Sequence, residues 1–414
     1  MLLQGHYDSD IRVRRKAEAL VAVGYRVDVL ALRSETNPAR EYEFNGVRVL
    51  TLSLGKKRGS LVRYLVEYGA FFVWSYFQLN RLMEEQEYAV VEANNLPDFL
   101  VFAARRAKRK GAKVVLDMHE ITPEFFMSKY QVAGTHWLVR LTRRLERASV
   151  RFADHVITIN DPLRDVLIGR GLNKERSTIV MNAVDAALFT AGLKAEGPRP
   201  GPAGEPPAFV MMYHGTLTRI YGLDIAIEAF AKVHESMPGA ELWILGNGPE
   251  KKALEVLAKE RGVGDKVRLL GSVLPQDVPR LLDRCDIGVL ATRQDMFLDL
   301  SFSNKLSEYI LLGKAVICSR LKTIRHYFSE DSLAFFKPHD PVELGGKMML
   351  FFQDAALRQR MAEQAKRDYA PINWDVMKRR YLELMGNLVG MPTSRGTHGK
   401  ENLPDARITQ KSLS

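Results

Sequence analysis

The stretch "FSNKLSEYILLGKAVICS", residues 302–319, sets a lysine and a glutamate three positions apart, Lys305 and Glu308, at the start of an otherwise apolar helix-length run. A helix beginning near Asn304 directs unpaired backbone N–H groups and the positive end of its dipole outward, which suits a diphosphate. Ser303, Asn304 and Leu306 would offer their backbone there, and Lys305 a point charge. One turn on, Glu308 can accept two charge-assisted hydrogen bonds from a vicinal diol such as that of ribose. The plainer alternative is an exposed i,i+3 ion pair that contributes a few tenths of a kcal/mol.

Other residues with chemistry to offer stand directly after short apolar runs. Gly5 and His6 follow the first, Asn94 and Asn95 a later one, and Asp117, His119 and Glu120 follow "KVVL". In the second half come His214, Gly215 and Thr216, then Gly246-Asn247-Gly248, then Arg293. "HEITP" departs from the zinc motif HExxH because position 123 is Pro. No Cys or His cluster has metal-ligand spacing. "DSD", residues 8–10, imitates a metal-binding DxD but opens a helix, so Asp10 reads as an N-cap or acceptor residue.

The elements that must hold these residues alternate. "RVDVLAL", "YAVVEA", "KVVLDM" and "HVITIN" are strand-length apolar runs, separated by helical stretches such as "RVRRKAEALVAVG" and "DFLVFAARRAKRKG". "FVMMYHG", "ELWILGNG", "VRLLGS", "IGVLAT" and "AVICS" repeat the rhythm. Continuous apolar strands with intervening helices mark parallel sheets buried on both faces, with ligands beyond the strands' carboxyl ends. Residues 195–207, "AEGPRPGPAGEPP", cannot form regular structure and divide the chain. The expectation is a first domain over 1–194, that linker, a second domain over 208–372, a closing helix over 373–390 and a disordered tail over 391–414.

At 414 residues, two cores are expected. No uncharged apolar run reaches the ~20 residues of a membrane span, and the start lacks the features of a secretory signal. Cys285 and Cys318 lie in apolar runs and read as buried thiols of a reducing compartment. The net charge of +11 asks for an anionic partner. Basic residues crowd the first half, including Lys56, Lys57 and Arg58, and Arg140, Arg144, Arg147 and Arg151 at helical spacing, with Leu138, Leu141, Leu145 and Phe152 on another face. No nucleic-acid recognition module accompanies them. "LVRYLVEYGAFFVWSYFQL", residues 61–79, is aromatic and basic-flanked. It reads either as a core helix or as an interfacial one, and peripheral contact with an anionic membrane is the favoured expectation.

The ordered set "HGTLTRIYGLDIAIEAF", "LWILGNGPE", "NAVDAALF" and "SNKLSEYILLGKAVI", with "GHYDSDIRVRRKAEAL" and "LDMHEITPEF" before it, resembles glycosyltransferase family 4 over residues 1–388. The resemblance implies an α/β protein of GT-B architecture, two Rossmann-like doubly wound domains facing across a cleft. It implies a retaining, metal-independent transferase that uses a nucleotide-sugar donor as substrate, needs no cofactor, and serves a glycan or lipid-linked acceptor in cell-surface polysaccharide or glycolipid synthesis. The expected location is the cytoplasm, at the inner face of the plasma membrane. "NWDVMKRRYLELM" would be the closing helix.

The resemblance also assigns residues. His119 would reach the donor sugar, and Lys305 and Arg219 would stabilise the leaving diphosphate. Gly215, Thr216, Gly246, Gly248 and Val273 would join Ser303, Asn304, Lys305, Leu306 and Glu308 in holding the donor. Gly5, His6, Asp10, Arg12 and Asn95 would lie on the acceptor side. Two positions depart from the family pattern: Leu300 replaces the usual first glutamate, with Asp299 beside it as a substitute, and Ile220 replaces a loop arginine. Other readings on the same architecture are a nucleotide-sugar epimerase, for which only His119 and Asp117 could serve as acid and base, and a non-catalytic partner subunit. The first strand, "MLLQG", is shorter than its siblings.

Overall fold

The computed structural model describes residues 1–54, 61–191, 193 and 208–390. The expected linker, the polar tail and Lys56, Lys57 and Arg58 lie outside these residues.

The chain builds two sheets in succession. The first half runs β1 (Leu2–Leu3), α1 (Ile11–Ala22), β2 (Asp28–Leu32), β3 (Glu41–Phe44), β4 (Val47–Leu52), α2 (Leu61–Glu85), β5 (Val90–Asn94), α3 (Arg105–Arg109) and β6 (Lys113–Met118). It continues through α4 (Thr122–Tyr130), α5 (Trp137–Phe152), β7 (His155–Thr158), α6 (Asp161–Gly169), β8 (Ser177–Ile179) and α7 (Ala186–Ala191). These strands form one sheet in the order β3-β4-β2-β1-β5-β6-β7-β8. Every pairing in it is parallel except that of β3 with β4. That hairpin turns at Asn45-Gly46, both with positive φ (50° and 76°), as its two-residue loop requires.

The second half runs β9 (Phe209–His214), α8 (Leu223–Val233), β10 (Ala240–Leu245), α9 (Lys251–Glu260), β11 (Val267–Gly271), α10 (Val278–Asp283), β12 (Ile287–Leu290) and α11 (Asn304–Leu311). Then come β13 (Ala315–Ser319), α12 (Lys322–Tyr327), β14 (Ala334–Phe336), α13 (Pro341–Gln353), α14 (Ala355–Tyr369) and α15 (Trp374–Leu388). The second sheet is wholly parallel, in the order β11-β10-β9-β12-β13-β14. Its central strands are buried end to end, as in "FVMMYH" and "AVICS". Chains of this kind need helices on both faces.

"DFLVFAARRAKRKG" is not one α-helix. It winds as tight 3-10 turns over Asp98–Ala104 before α3, with buried Asp98 anchored by Asn95 and the Thr122 hydroxyl. Cys285 and Cys318 are buried and free, as expected. One apolar core joins the α1 face of the first sheet to the second sheet through Trp374, Met377 and Tyr381 of α15. A separate core lies beneath α2 and α5 on the other face. Direct bonds also tie the halves together: Asn160 Nδ2 donates to Leu300 O at 2.8 Å, the Ser128 hydroxyl to Asp295 at 2.6 Å, and the Tyr327 hydroxyl to Asp161 at 2.8 Å. Among the described residues, no helix is long and apolar enough to cross a membrane.

Candidate functional site

Between the carboxyl ends of the two sheets lies a cavity of about 230 Å³. Arg12, His119, Glu120 and Ile159 line it from the first half, and Ile220, Tyr221, Phe297, Ser303 and Leu306 are among those lining it from the second.

α11 starts at this cavity because Ser303 is extended (φ −91°, ψ 123°) and because Leu306, Tyr309 and Ile310 anchor the apolar side of the helix in the core. Among the described residues, no side chain caps its first turn, so backbone N–H groups remain for a ligand. Asn304 Oδ1 in the first turn of α11 and Thr218 Oγ1 in the loop after β9 are buried with no hydrogen-bond partner among the described residues. Unpaired buried oxygens are costly unless a ligand or solvent completes them.

Lys305 and Glu308 share the side of α11 that meets the loop after β9. The Lys305 amine does not face the cavity openly; it lies 4.0 Å from the Tyr221 ring centroid and 5.7 Å from that of Tyr213. A favourable cation–aromatic contact thus holds the charge behind the cavity's Tyr221 wall. Burial pushes this amine down to about 8, against the opposing pull of Glu308. Gly215, at φ +125°, makes room: a Cβ there would come within 2.3 Å of Lys305 Cε.

Glu308 does not pair with Lys305. Its Oε2 accepts from His214 Nε2, while His214 Nδ1 sits 3.1 Å from the Tyr309 hydroxyl, which donates to Met212 O at 2.7 Å. Both ring nitrogens of His214 therefore face acceptors, and the carboxylate is fixed beside the amine. Oε1 of Glu308 has no partner among the described residues. Gly288 in β12 leaves space for Tyr309, since a Cβ there would meet the tyrosine ring at 2.5 Å.

The "GNG" turn packs directly against the loop after β9. A Cβ on Gly246 would strike Gly215 O at 1.9 Å, and one on Gly248 would strike Leu217 O at 2.3 Å. Leu217 N donates to Asn247 O at 2.9 Å. These glycines let two backbones press together, and so position the loop that carries Gly215 and Thr216. Thr216 is exposed and its carbonyl accepts from the Tyr213 hydroxyl at 2.9 Å. Val273 is half-buried beyond the cavity lining.

Arg219 is exposed and outside the lining. Its carbonyl accepts from Arg293 Nε at 3.1 Å, and Arg293 also pairs with Asp224. Arg293 thus staples the loop, and Lys305 is the cation brought to it. Asp299 does not turn toward the cavity either: its carboxylate accepts from Gln294 Nε2 and Lys322 N. Leu300 is buried with its carbonyl on Asn160.

Across the cavity, His119 is 5% exposed and its Nε2 lies 2.8 Å from Asp117 Oδ2. Burial alone would raise the Asp117 carboxyl, but the charges of Lys16 and His119 hold it well below the usual range. Lys16 is itself buried against Asp117 and Glu92, the latter at 2.6 Å, and Tyr381 of α15 donates to Glu92 at 2.8 Å. Burial opposes the charge on Lys16, and the two carboxylates outweigh it and raise its pKa.

Of the acceptor-side residues, Arg12 alone lines the cavity beside His119. Asn95 is spent on positioning: its Oδ1 accepts from His119 N at 2.7 Å and Glu120 N at 3.3 Å, while Nδ2 donates to Asp98 and Glu120 O. Asp10 caps α1 by accepting from Arg12 N and Val13 N, both at 3.1 Å. Asp8 accepts from the Ser34 and Thr36 hydroxyls, so the "DSD" run is used up in local structure. Gly5 O accepts from Leu32 N at 2.8 Å, and His6 Nδ1 faces Leu32 O at 3.3 Å; both secure the end of β1. Among the described residues, no group of three His, Cys, Asp or Glu could hold a metal ion. The sequence marks His214 only as a polar residue after a strand, and assigns no role to Lys16, Tyr213, Tyr221, Gly288 or Tyr309.

Residues 10–183 match a glycosyl transferase 4-like domain and residues 201–368 match glycosyl transferases group 1. The chain is 26% identical over 301 residues to glycogen synthase of Mycobacterium tuberculosis, covering 69% of each chain. The fold is similar to sucrose-phosphate synthase from Thermosynechococcus elongatus, with TM-score 0.72, 19% identity and coverage of 94% and 98% of the two chains. It is also similar to Anabaena Alr3699/HepE in complex with UDP, with TM-score 0.67, 16% identity and coverage of 93% and 99%. The chain is a glycosyltransferase of GT-B architecture and belongs to family 4.

Proposed function

We propose that the protein is a retaining hexosyltransferase that moves a sugar from a nucleotide-sugar donor to a glycan or lipid-linked acceptor of a cell-surface polysaccharide or glycolipid. It would work in the cytoplasm, bound peripherally to the inner membrane face, without a resident metal or cofactor. One observation carries the donor reading: an uncapped helix start, an amine and an oriented carboxylate meet at a single loop that, with the helix start, holds two buried oxygens without partners among the described residues. The UDP held by the structurally similar HepE supports a nucleoside diphosphate as the occupant.

In this reading the diphosphate lies on the α11 start with Lys305 beside it, and Tyr221 turns aside or is skirted along Gly215. Glu308 Oε1 takes the ribose, with His214 holding the other oxygen. The acceptor oxygen bonds the anomeric carbon on the face that the diphosphate leaves, the bond to the diphosphate breaks, and a diphosphate oxygen receives the hydroxyl proton. The protein contributes orientation and stabilisation of the leaving charge, with His119 and Arg12 facing the sugar and the acceptor. Lys16 favours a negative Asp117, which leaves that carboxyl poorly suited to act as an acid and weakens the epimerase alternative.

A panel of UDP-, GDP- and dTDP-sugars tests the reading. One donor should stabilise the fold by about 2.7 kcal/mol at 100 times its Kd, read as a rise in Tm, and should release nucleoside diphosphate and form a glycoside of retained anomeric configuration when membrane glycolipid or glycan is supplied. Binding without turnover against any acceptor would favour a non-catalytic partner subunit. No response to any donor would contradict the proposal.

A further inference from the structure

Away from the donor loop, α2, α4 and α5 leave an apolar groove of about 130 Å³ between them. Leu65 and Tyr68 of α2, Phe126 and Tyr130 of α4, and Leu141 and Leu145 of α5 wall it. The groove is not sealed into the core, since Leu65 is 56% and Leu141 43% exposed. Trp137, 66% exposed, stands beside it at the start of α5. Exposed Val66, Val73 and Phe77 extend the apolar surface along α2. Contiguous exposed apolar surface of this kind marks an interaction site.

Two further observations say what covers it. The first is charge. Arg140, Arg144, Arg147 and Arg151 are exposed along α5, and the sole acidic residue of that helix, Glu146, is 1% exposed and held by Arg170. No acid on α5 offsets the arginines, so an apolar groove adjoins a strongly cationic strip. An interfacial helix pattern of this kind suits anionic lipid. The second is position. Phe125 lines the groove, and its ring packs edge-on against Phe297, 5.4 Å between centroids, while Phe297 lines the donor-side cavity. One pair of aromatic rings separates the groove from the place where His119 and Arg12 stand.

We infer that this groove holds the hydrocarbon chain of a lipid-linked acceptor, taken from an anionic bilayer, with its polar end directed past Phe125 into the cleft. The inference rests on the glycosyl-transfer reading and narrows it, favouring lipid over free glycan.

The test uses the full chain and measures lipid and nucleotide binding separately. Alkyl phosphates from hexyl to tetradecyl, below their micellar concentrations, serve as chain probes. Their affinity should rise about fourfold per methylene until the groove is filled. Vesicles of phosphatidylcholine with phosphatidylglycerol should sediment the protein, and pure phosphatidylcholine vesicles should do so at least tenfold less. Leu141→Glu and Tyr130→Glu, both at solvent-facing positions, should weaken both responses by tenfold or more while the thermal shift with UDP stays unchanged. Affinity independent of chain length, equal binding to neutral vesicles, or self-association through this face would overturn the inference while leaving nucleotide binding intact. A lipid-binding protein that responds to none of UDP, GDP and dTDP would overturn the transferase reading and, with it, the assignment of the lipid as acceptor.

Discussion

Lys305 is charged at neutral pH but close to losing its proton, because burial has brought its amine down to about 8. Two consequences of opposite sign follow. For the ligand-free fold, the unfolded chain holds more protons on this group between about 8 and its ordinary 10.5, so its contribution to stability improves as pH rises through that window. For nucleotide binding, the charged amine is needed, so affinity for UDP should fall as pH rises past about 8. Titrations at pH 7 and pH 9.5 should differ by about tenfold or more in the wild type and little in Lys305→Met. Gly215→Ala should act on the same group, because the added methyl collides with Lys305 Cε at a φ that suits glycine; UDP binding weaker by at least tenfold with the fold intact is the expected result. Lys305, Glu308 and His119 were legible in sequence because their chemistry and spacing are local. Tyr221 was not, and of His214 only its place after a strand was, since each acts on a residue more than eighty positions away that only the folded sheet brings near.

The strands and helices themselves were largely legible, because parallel β/α units leave apolar runs of characteristic length. The hairpin of β3 and β4 escaped notice although "Asn45-Gly46" between two alternating runs is a strong signal for it. The "GNG" turn reads in sequence equally as a tight turn or a ligand contact, and the structure adds the close backbone approach by which it braces the loop after β9. Gly288 was invisible for a similar reason: a glycine inside a strand says that something comes close, and the structure names Tyr309. Gly288→Ala should therefore overpack the interior and cost about 1–3 kcal/mol in urea unfolding. Because Tyr309 supports His214 and through it Glu308, UDP affinity should fall as well; an alanine variant of full stability and affinity would contradict that chain of support.

The two halves are held by more than the cleft. α15, last in the described chain, returns to the first sheet, stacks Trp374 against Arg15 and sends Tyr381 to Glu92 beneath Lys16, Asp117 and His119. Replacing Lys16 by Met would leave two buried carboxylates without their cation, and should cost about 3–5 kcal/mol. Tyr381→Phe removes one bond to a charged group and should cost about 1.5–3 kcal/mol; denaturant midpoints with unchanged slope would report both. This network was unreadable beforehand, since it joins residues up to 289 positions apart. What the whole arrangement is for turns on one loop and one helix start. Calorimetric titration of UDP at pH 7 into the wild type, Lys305→Met and Glu308→Gln addresses that most directly. Saturable binding by the wild type and at least tenfold weaker binding by each variant, with cooperative unfolding retained, is the expected result; equal affinity in all three, or no binding of UDP, GDP or dTDP by the wild type, would contradict it.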